Sequence, residues 1–188
     1  MLKSIGIILF VYMFIMLFII FVVYPYSVRI LLRKMAIDTI SALNKCDVDY
    51  WTDFGTLLGI VREKDIILWD TDVDLIVLES EELQQKMKDV KFILERKGYK
   101  FKKENWDAYR VYLYFWHVDI YINKRGTDNY LGAIGETSDI PIEYIGSKSV
   151  IKWNNQDVKC PEKIHDTLVW RYGIDYMVPK YFYKGRDV

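Results

Sequence analysis

The sequence predicts a mixed α/β (α+β) domain carried behind one N-terminal transmembrane helix, and three observations predict it. Ile5 to Tyr24 is an apolar run of 20 residues, with no charge between Lys3 and Arg29. About 20 apolar residues span the hydrocarbon core of a bilayer, whereas the core of a cleaved leader is about 7–15. Beyond the run, strand-like segments alternate with helix-like ones and then give way to a series of strands, the pattern of a mixed sheet with helices on it. Within that pattern lies Trp69-Asp70-Thr71-Asp72-Val73-Asp74-Leu75, three acids at alternating positions in a β-branched, apolar stretch.

The apolar run reads as an uncleaved signal anchor. It is apolar on all sides, no small-x-small cleavage site follows it, and Tyr24 and Tyr26 stand where the membrane interface would be. This divides the chain into residues 1–27, the anchor, and 28–188, the folded domain. Lys3 lies on one side, and Arg29, Arg33 and Lys34 on the other, so the charge difference leaves the membrane side open. Residues 28–46 have helical spacing of their own (Ile30, Leu31, Met35, Ile37, Ile40, Leu43), and those basic residues can belong to a folded helix.

Tyr50 to Phe54 reads as a strand, and Gly55-Thr56 opens a short helix to Arg62. The acidic strand follows at 72–78. Glu81 to Lys97 is a charged helix with Leu83, Met87, Val90, Phe92 and Leu94 on its apolar side, closed by Gly98. Aromatic and β-branched strands are expected at 99–103, 109–115 and 117–123, then a polar loop over 124–140. Asn154-Asn155 joins 149–153 to 157–160 as a hairpin, and Pro161 opens a helix that ends at Tyr172 before Gly173. The tail from Lys180 is aromatic and basic and is expected to pack loosely.

With 26 basic and 26 acidic residues the net charge is zero, which gives no general attraction to nucleic acid. Two cysteines, Cys46 and Cys160, are too few for a disulfide framework and suit either compartment.

In a strand, alternate side chains share a face, so Asp70, Asp72 and Asp74 are expected on one face and Val73, Leu75 and Val77 on the other. Carboxylates so placed repel one another unless a cation sits among them, and oxygen ligands suit Mg²⁺ or Mn²⁺. Asp119, in His117-Val118-Asp119-Ile120-Tyr121-Ile122, can complete the set from a neighbouring strand. This is a phosphate-handling site in outline, with Asp70, Asp72, Asp74 and Asp119 as metal ligands and Asp119 alternatively the base for an acceptor hydroxyl. Gly55 and Thr56 would present backbone N–H groups to a donor phosphate at a helix start, and Arg62 would add a two-pronged contact. Each has a plainer reading. Asp72 and Asp74 can be a solvated strand face, Asp119 an acid paired with an arginine, and Arg62 an ion pair with Glu63 or Asp65. Asp70 can serve to hold Trp69 and its loop, and Trp69 is the best aromatic candidate for stacking cytosine or a sugar. His117 shares a face with Asp119 and suits a core hydrogen bond as well as catalysis, and His165 reads as structural.

These motifs resemble the LicD family, which takes in bacterial phosphocholine transferases and, more distantly, the fukutin-like proteins of animals. The family pattern Gly-Thr-Leu-Leu-Gly-x-x-Arg matches Gly55 to Arg62, and Trp-Asp-x-Asp-hydrophobic-Asp matches Trp69 to Asp74. His-hydrophobic-Asp matches His117 to Asp119, and a closing Pro, Leu, Tyr-Gly, Pro series matches Pro161, Leu168, Tyr172-Gly173 and Pro179. The resemblance covers about residues 48–179 in the expected order. It implies a nucleotidyltransferase-like fold and transfer of a phospho-alcohol, of the phosphocholine or ribitol phosphate type, from a CDP-linked donor to a glycan hydroxyl. It also implies a lumenal location by analogy with the animal relatives. The alternatives are a catalytically silent, anchored glycan- or partner-binding module, and a nucleotidyltransferase acting on another substrate.

Overall fold

A computed structural model of the chain describes residues 2–105, 107–125, 130–132 and 139–179. The expected loose tail from Lys180, and most of the expected loop over 124–140, lie outside the described residues. The apolar run forms α1 (Leu2–Phe18), then one π-helical stretch (Ile19–Val23), then α2 (Tyr24–Lys45), without a break in the helix. The π stretch precedes Pro25, which has no N–H to give and whose ring crowds the preceding turn. The Tyr24 N–H reaches back to the Ile19 carbonyl, and one widened turn absorbs the mismatch.

From Ile7 to Val23 the large side chains are 38–66 % exposed, so no protein surface covers them. This is the one helix among the described residues long and apolar enough to cross a membrane. Within α2 the situation reverses. Val28, Leu32, Met35, Ala36, Ile40 and Leu43 are buried at helical spacing, each large one contributing roughly 2 kcal/mol. The basic residues after the apolar run are folded into the domain. Arg29 bonds Glu63 (Nη2 to Oε2, 2.5 Å), Arg33 bonds Asp65 (Nε to Oδ1, 2.8 Å), and Lys34 bonds Asp38 (2.7 Å).

The strands are β1 (Tyr50–Thr52), β2 (Asp72–Leu78), β3 (Lys100–Glu104), β4 (Ala108–Leu113), β5 (Trp116–Arg125), β6 (Tyr130–Gly132) and β7 (Ile140–Pro141). They form one mixed sheet in the order β1-β2-β5-β4-β3, with β6 and β7 added beyond β5. β2 and β5 are parallel, and the other pairs are antiparallel. Two of these strands, β6 and β7, fall within the stretch expected to be loop, and β5 runs on into it as far as Arg125. The hairpin β8 (Ser149–Trp153) and β9 (Gln156–Cys160) forms a separate two-stranded sheet. The helices are α3 (Phe54–Arg62), α4 (Leu83–Arg96), α5 (Ile142–Ile145) and α6 (Ile164–Tyr172).

Alternation divides the large sheet into two unlike faces. Val73, Leu75 and Val77 of β2, with Val118, Ile120 and Ile122 of β5, are buried in the main core shared with α2 and α4. α4 contributes Leu83, Met87, Val90 and Leu94, and it stops where Gly98 takes φ 89°, which turns the Tyr99 N–H back to the Leu94 carbonyl at 3.2 Å. The opposite face carries the polar residues of β2 and β5. It is closed at one end by a small cluster of Trp51, Ile76, Leu131, Ile140 and Ile145. Cys46 and Cys160 are separate free thiols.

α2 is fastened to the far side of α4 by Asp38, which accepts hydrogen bonds from Lys34, Lys97 and Tyr99. Burial alone would raise the Asp38 pKa, but the three donors outweigh it and hold the carboxyl at about 2. A depressed folded pKa gives stability that is present above the ordinary carboxylate value and is lost as pH falls through about 2. Asp38→Asn is therefore expected to cost about 1 kcal/mol at neutral pH, a modest figure because the lysines are solvated. Urea unfolding of variant and parent should show this deficit closing as pH drops below about 4. A deficit independent of pH would refute the assignment.

Candidate active site

The polar face of the sheet brings most of the predicted residues together. In the parallel pairing of β2 with β5, Asp72 stands opposite His117 and Asp74 opposite Asp119. The register that buries Val73 and Val118 thus puts four polar side chains into one patch. His117 Nε2 lies 3.7 Å from Asp72 Oδ2 and 3.6 Å from Asp119 Oδ2. Asp72, His117 and Asp119 each offer a ligand atom, all within 4.8 Å of one another.

Asp70 departs from expectation. It precedes β2 in a turn, its N–H bonded to the Ile67 carbonyl at 3.0 Å, so strand alternation does not place it. Its carboxylate still joins the group, because the turn folds it against Asp72 and over the start of α3. Burial, and then the charge of Asp72, push Asp70 up to about 6. Asp74 is raised well above the ordinary carboxylate value, first by burial and then by the charges of Asp72, Asp70, Asp119 and Asp53. Four carboxylates in a half-buried patch cannot all ionise cheaply, and a cation among them removes the conflict. Their hard oxygens, with one imidazole beside them, fit a Mg²⁺- or Mn²⁺-type ion, Asp72, His117 and Asp119 being the closest set.

The start of α3 is built against this patch. Asp53 caps the helix by accepting the Phe54 N–H at 2.7 Å, and Phe54 enters at φ 49°. Gly55 and Thr56 thus fall in the first turn, where N–H groups have no carbonyl of their own helix to bond. A Cβ on Gly55 would meet Asp70 Oδ2 at 2.7 Å, so only glycine lets the carboxylate approach this closely. The Thr56 hydroxyl has a second task that the sequence did not disclose. It accepts the Asp74 N–H at 2.8 Å and ties the helix to the acidic strand.

Arg62 ends α3 at the opposite turn, about 9 Å along the axis from Thr56. Its guanidinium bonds Glu63 (3.0 Å) and the Tyr176 carbonyl (3.4 Å), and no contact among the described residues joins it to the four aspartates. Asp119, for its part, has the arginine partner that its plainer reading named. Arg110, its cross-strand neighbour on β4, bonds both carboxylate oxygens (Nη2 to Oδ2, 2.7 Å). The signal for that pair lay in the hairpin. Had Tyr114-Phe115 been recognised as its two-residue loop, counting outward would have set Arg110 against Asp119. Tyr121 and Tyr172 also border the acids. Burial first, and then carboxylate charges including that of Asp74, raise both phenols. Beneath the site, Arg171 of α6 bonds Asp53 at two points (2.7 and 3.2 Å) and lies 4.2 Å over the Phe54 ring. His165 lies on α6, where its Nδ1 is 3.1 Å from the Tyr176 hydroxyl.

The family model described as LicD/FKTN/FKRP, nucleotidyltransferase domain, matches residues 47–163, which span β1 to the segment before α6 and include every acid of the patch. Among curated proteins, ribitol 5-phosphate transferase FKRP of human is 48 % identical over 44 residues, 23 % of this chain and 9 % of that protein. Protein RP689 of Rickettsia prowazekii is 38 % identical over 52 residues, 28 % of this chain and 20 % of that protein. The chain thus matches a fifth or less of the length of these relatives. Among solved structures, the lincosamide antibiotic adenylyltransferase LnuA, bound to lincomycin, superposes with TM-score 0.50 and 15 % identity over 77 % of this chain and 94 % of that one. At that identity the likeness is one of fold, and the fold is that of a nucleotidyltransferase.

Proposed function

The chain belongs to the LicD/FKTN/FKRP nucleotidyltransferase-domain family, and on that premise we propose that it is a membrane-anchored, Mg²⁺- or Mn²⁺-dependent transferase that moves a phospho-alcohol from a CDP-linked donor to a glycan hydroxyl. The observation that carries this reading is the register of β2 and β5, which sets Asp72 and Asp74 beside His117 and Asp119 at the start of α3. A relative named as a ribitol 5-phosphate transferase favours ribitol phosphate as the group moved, with phosphocholine the other alcohol-phosphate of the same kind. The apolar helix, which no other part of the described chain covers, supports membrane anchoring, and a lumenal site follows only by analogy with the animal relatives.

In this reaction the acceptor oxygen attacks the phosphorus that carries the alcohol. The bond from that phosphorus to the CMP oxygen breaks, CMP leaves as an anion, and the acceptor loses its proton. A divalent ion on the carboxylates would neutralise charge on the phosphates and help align attacker and leaving group. Asp72 and Asp119 would hold it with His117 beside them, and Asp74 and Asp70 would complete the set. Arg110, bonded to both oxygens of Asp119, fixes the carboxylate in direction, which suits a ligand better than a base. Gly55 and Thr56 would receive donor phosphate at the α3 start. Arg62 can reach a phosphate only by exchanging its bond to Glu63. Trp69, 61 % exposed beside Asp70, is free to stack on the cytosine.

The test is CMP release by the full chain in vesicles, with Mn²⁺, a panel of CDP-alcohols and glycan acceptors. The expected result is chelator-sensitive CMP release with one donor and retention of its phosphate on the acceptor. Folded, Mn²⁺-binding protein that releases no CMP from any donor would overturn the reading. So would a nucleotide left attached to the acceptor.

A further inference from the structure

The tip of the β4–β5 hairpin is built in a way that a water-exposed loop does not require. Leu113 pairs with Trp116, leaving Tyr114 and Phe115 as a two-residue loop. Tyr114 takes φ 56°, at the first central position, where such loops favour glycine. The two residues are 85 % and 92 % exposed, the largest exposures among the large hydrophobic side chains of the described residues. The second two-residue hairpin among the described residues shows the ordinary solution, Asn154-Asn155 at φ 47° and 62°.

The hairpin also lies where the apolar helix leaves the domain. The Trp116 ring is 6.2 Å from that of Tyr24, centroid to centroid. From there β5 and α2 run the same way. Ile122 pairs with Val77, and Val77 with Tyr50, five residues beyond the end of α2. The tip therefore points back toward the apolar helix. With Tyr24 and Tyr26, each about half exposed, it makes one aromatic belt around the exit point. Tyr and Trp, with an apolar body and a polar edge, concentrate at bilayer interfaces.

We infer that the Tyr114-Phe115 hairpin tip docks into the bilayer interface beside the anchor helix, giving the domain a second membrane contact. The inference rests on the proposed anchoring, and continuity with that helix selects a lipid surface as the occupant. The unbroken helix joins the domain rigidly to the anchor but leaves the tilt and rotation of both in the bilayer free; a second contact fixes them. His117 follows Trp116 directly and pairs with Asp72, so the acid patch is held at the membrane-facing end of the sheet.

The test places an environment-sensitive fluorophore on single cysteines in the full chain, reconstituted in phosphatidylcholine vesicles. The background is Cys46→Ala, since Cys160 is fully buried and does not label. The labelled variants are Phe14→Cys, Tyr26→Cys, Phe115→Cys and Val150→Cys, and the quenchers are nitroxide lipids of known depth. The expected result is quenching of the Phe115 label by headgroup-level nitroxide to the extent seen for Tyr26, deep quenching at Phe14, and none at Val150 on the β8–β9 hairpin. Deep quenching at Phe14 with a water-exposed label at Phe115 would overturn the docking and leave the anchor reading intact. Equal quenching at Phe115 and Val150 would overturn it too, since the whole domain would then lie on the lipid without preference. No quenching at Phe14 would remove the anchor reading, and the docking with it.

Discussion

Asp72→Ala and Asp74→Ala are each expected to abolish turnover of the proposed reaction while the protein stays folded. The carboxylates hold the charge-neutralising ion in the proposed reaction, and its contribution of several kcal/mol corresponds to a loss of about a thousandfold or more. Folding should survive because the strand is held by its backbone and its opposite face. The Asp74 N–H still reaches the Thr56 hydroxyl, and Val73 and Leu75 remain in the core. Metal-free Asp74→Ala protein should even unfold at a higher temperature than its parent, since one of four mutually repelling acids is gone. The decisive pair of measurements is CMP release and thermal unfolding with and without Mn²⁺. Activity comparable to the parent in either variant sinks the assignment. Loss of activity together with loss of the fold would refute the claim that these acids serve chemistry rather than structure.

Arg171→Met is expected to lower stability by about 3–5 kcal/mol, the usual cost of leaving a buried charge without its partner. Asp53 is fully buried and the Arg171 side chain only 4 % exposed, so water cannot replace the lost bonds. The effect also reaches the site. Asp53 caps α3, and a carboxylate released from Arg171 no longer holds Phe54, Gly55 and Thr56 in place. Urea unfolding measures the loss. The double variant Asp53→Asn, Arg171→Met should recover a large part of it, because no uncompensated charge remains. A single-variant loss below about 1 kcal/mol would show that the pair is not the buried support described.

Much of the fold was legible because its signals are local. The helices at 28–46 and 81–97, the acidic strand and the Asn154-Asn155 hairpin follow from side-chain period and turn chemistry, and the structure has an element at each. The same holds for Asp72 and Asp74, since alternation alone sets them on one face. Asp70 lies near Asp72 and the start of α3, but strand alternation does not put it there. A turn bonded to Ile67 brings it in. The boundary between the two central strands was misjudged. Tyr114-Phe115 carries no glycine or asparagine to mark a turn, and with that boundary went the pairing of Arg110 with Asp119.

By itself the sequence determined the apolar helix, the order of the elements, the polar and apolar sides of the strands, and the motifs that place the chain in its family. Each is written in residues that are neighbours along the chain, where a fixed rise and period turn spacing into position. Only the tertiary structure decided which strands lie side by side, and so that His117 meets Asp72, that Arg110 holds Asp119, and that Arg171 supports Asp53 from 118 residues away. Such contacts arise from burying apolar faces against one another, which selects a register for the whole sheet at once and leaves no trace in any single stretch of sequence.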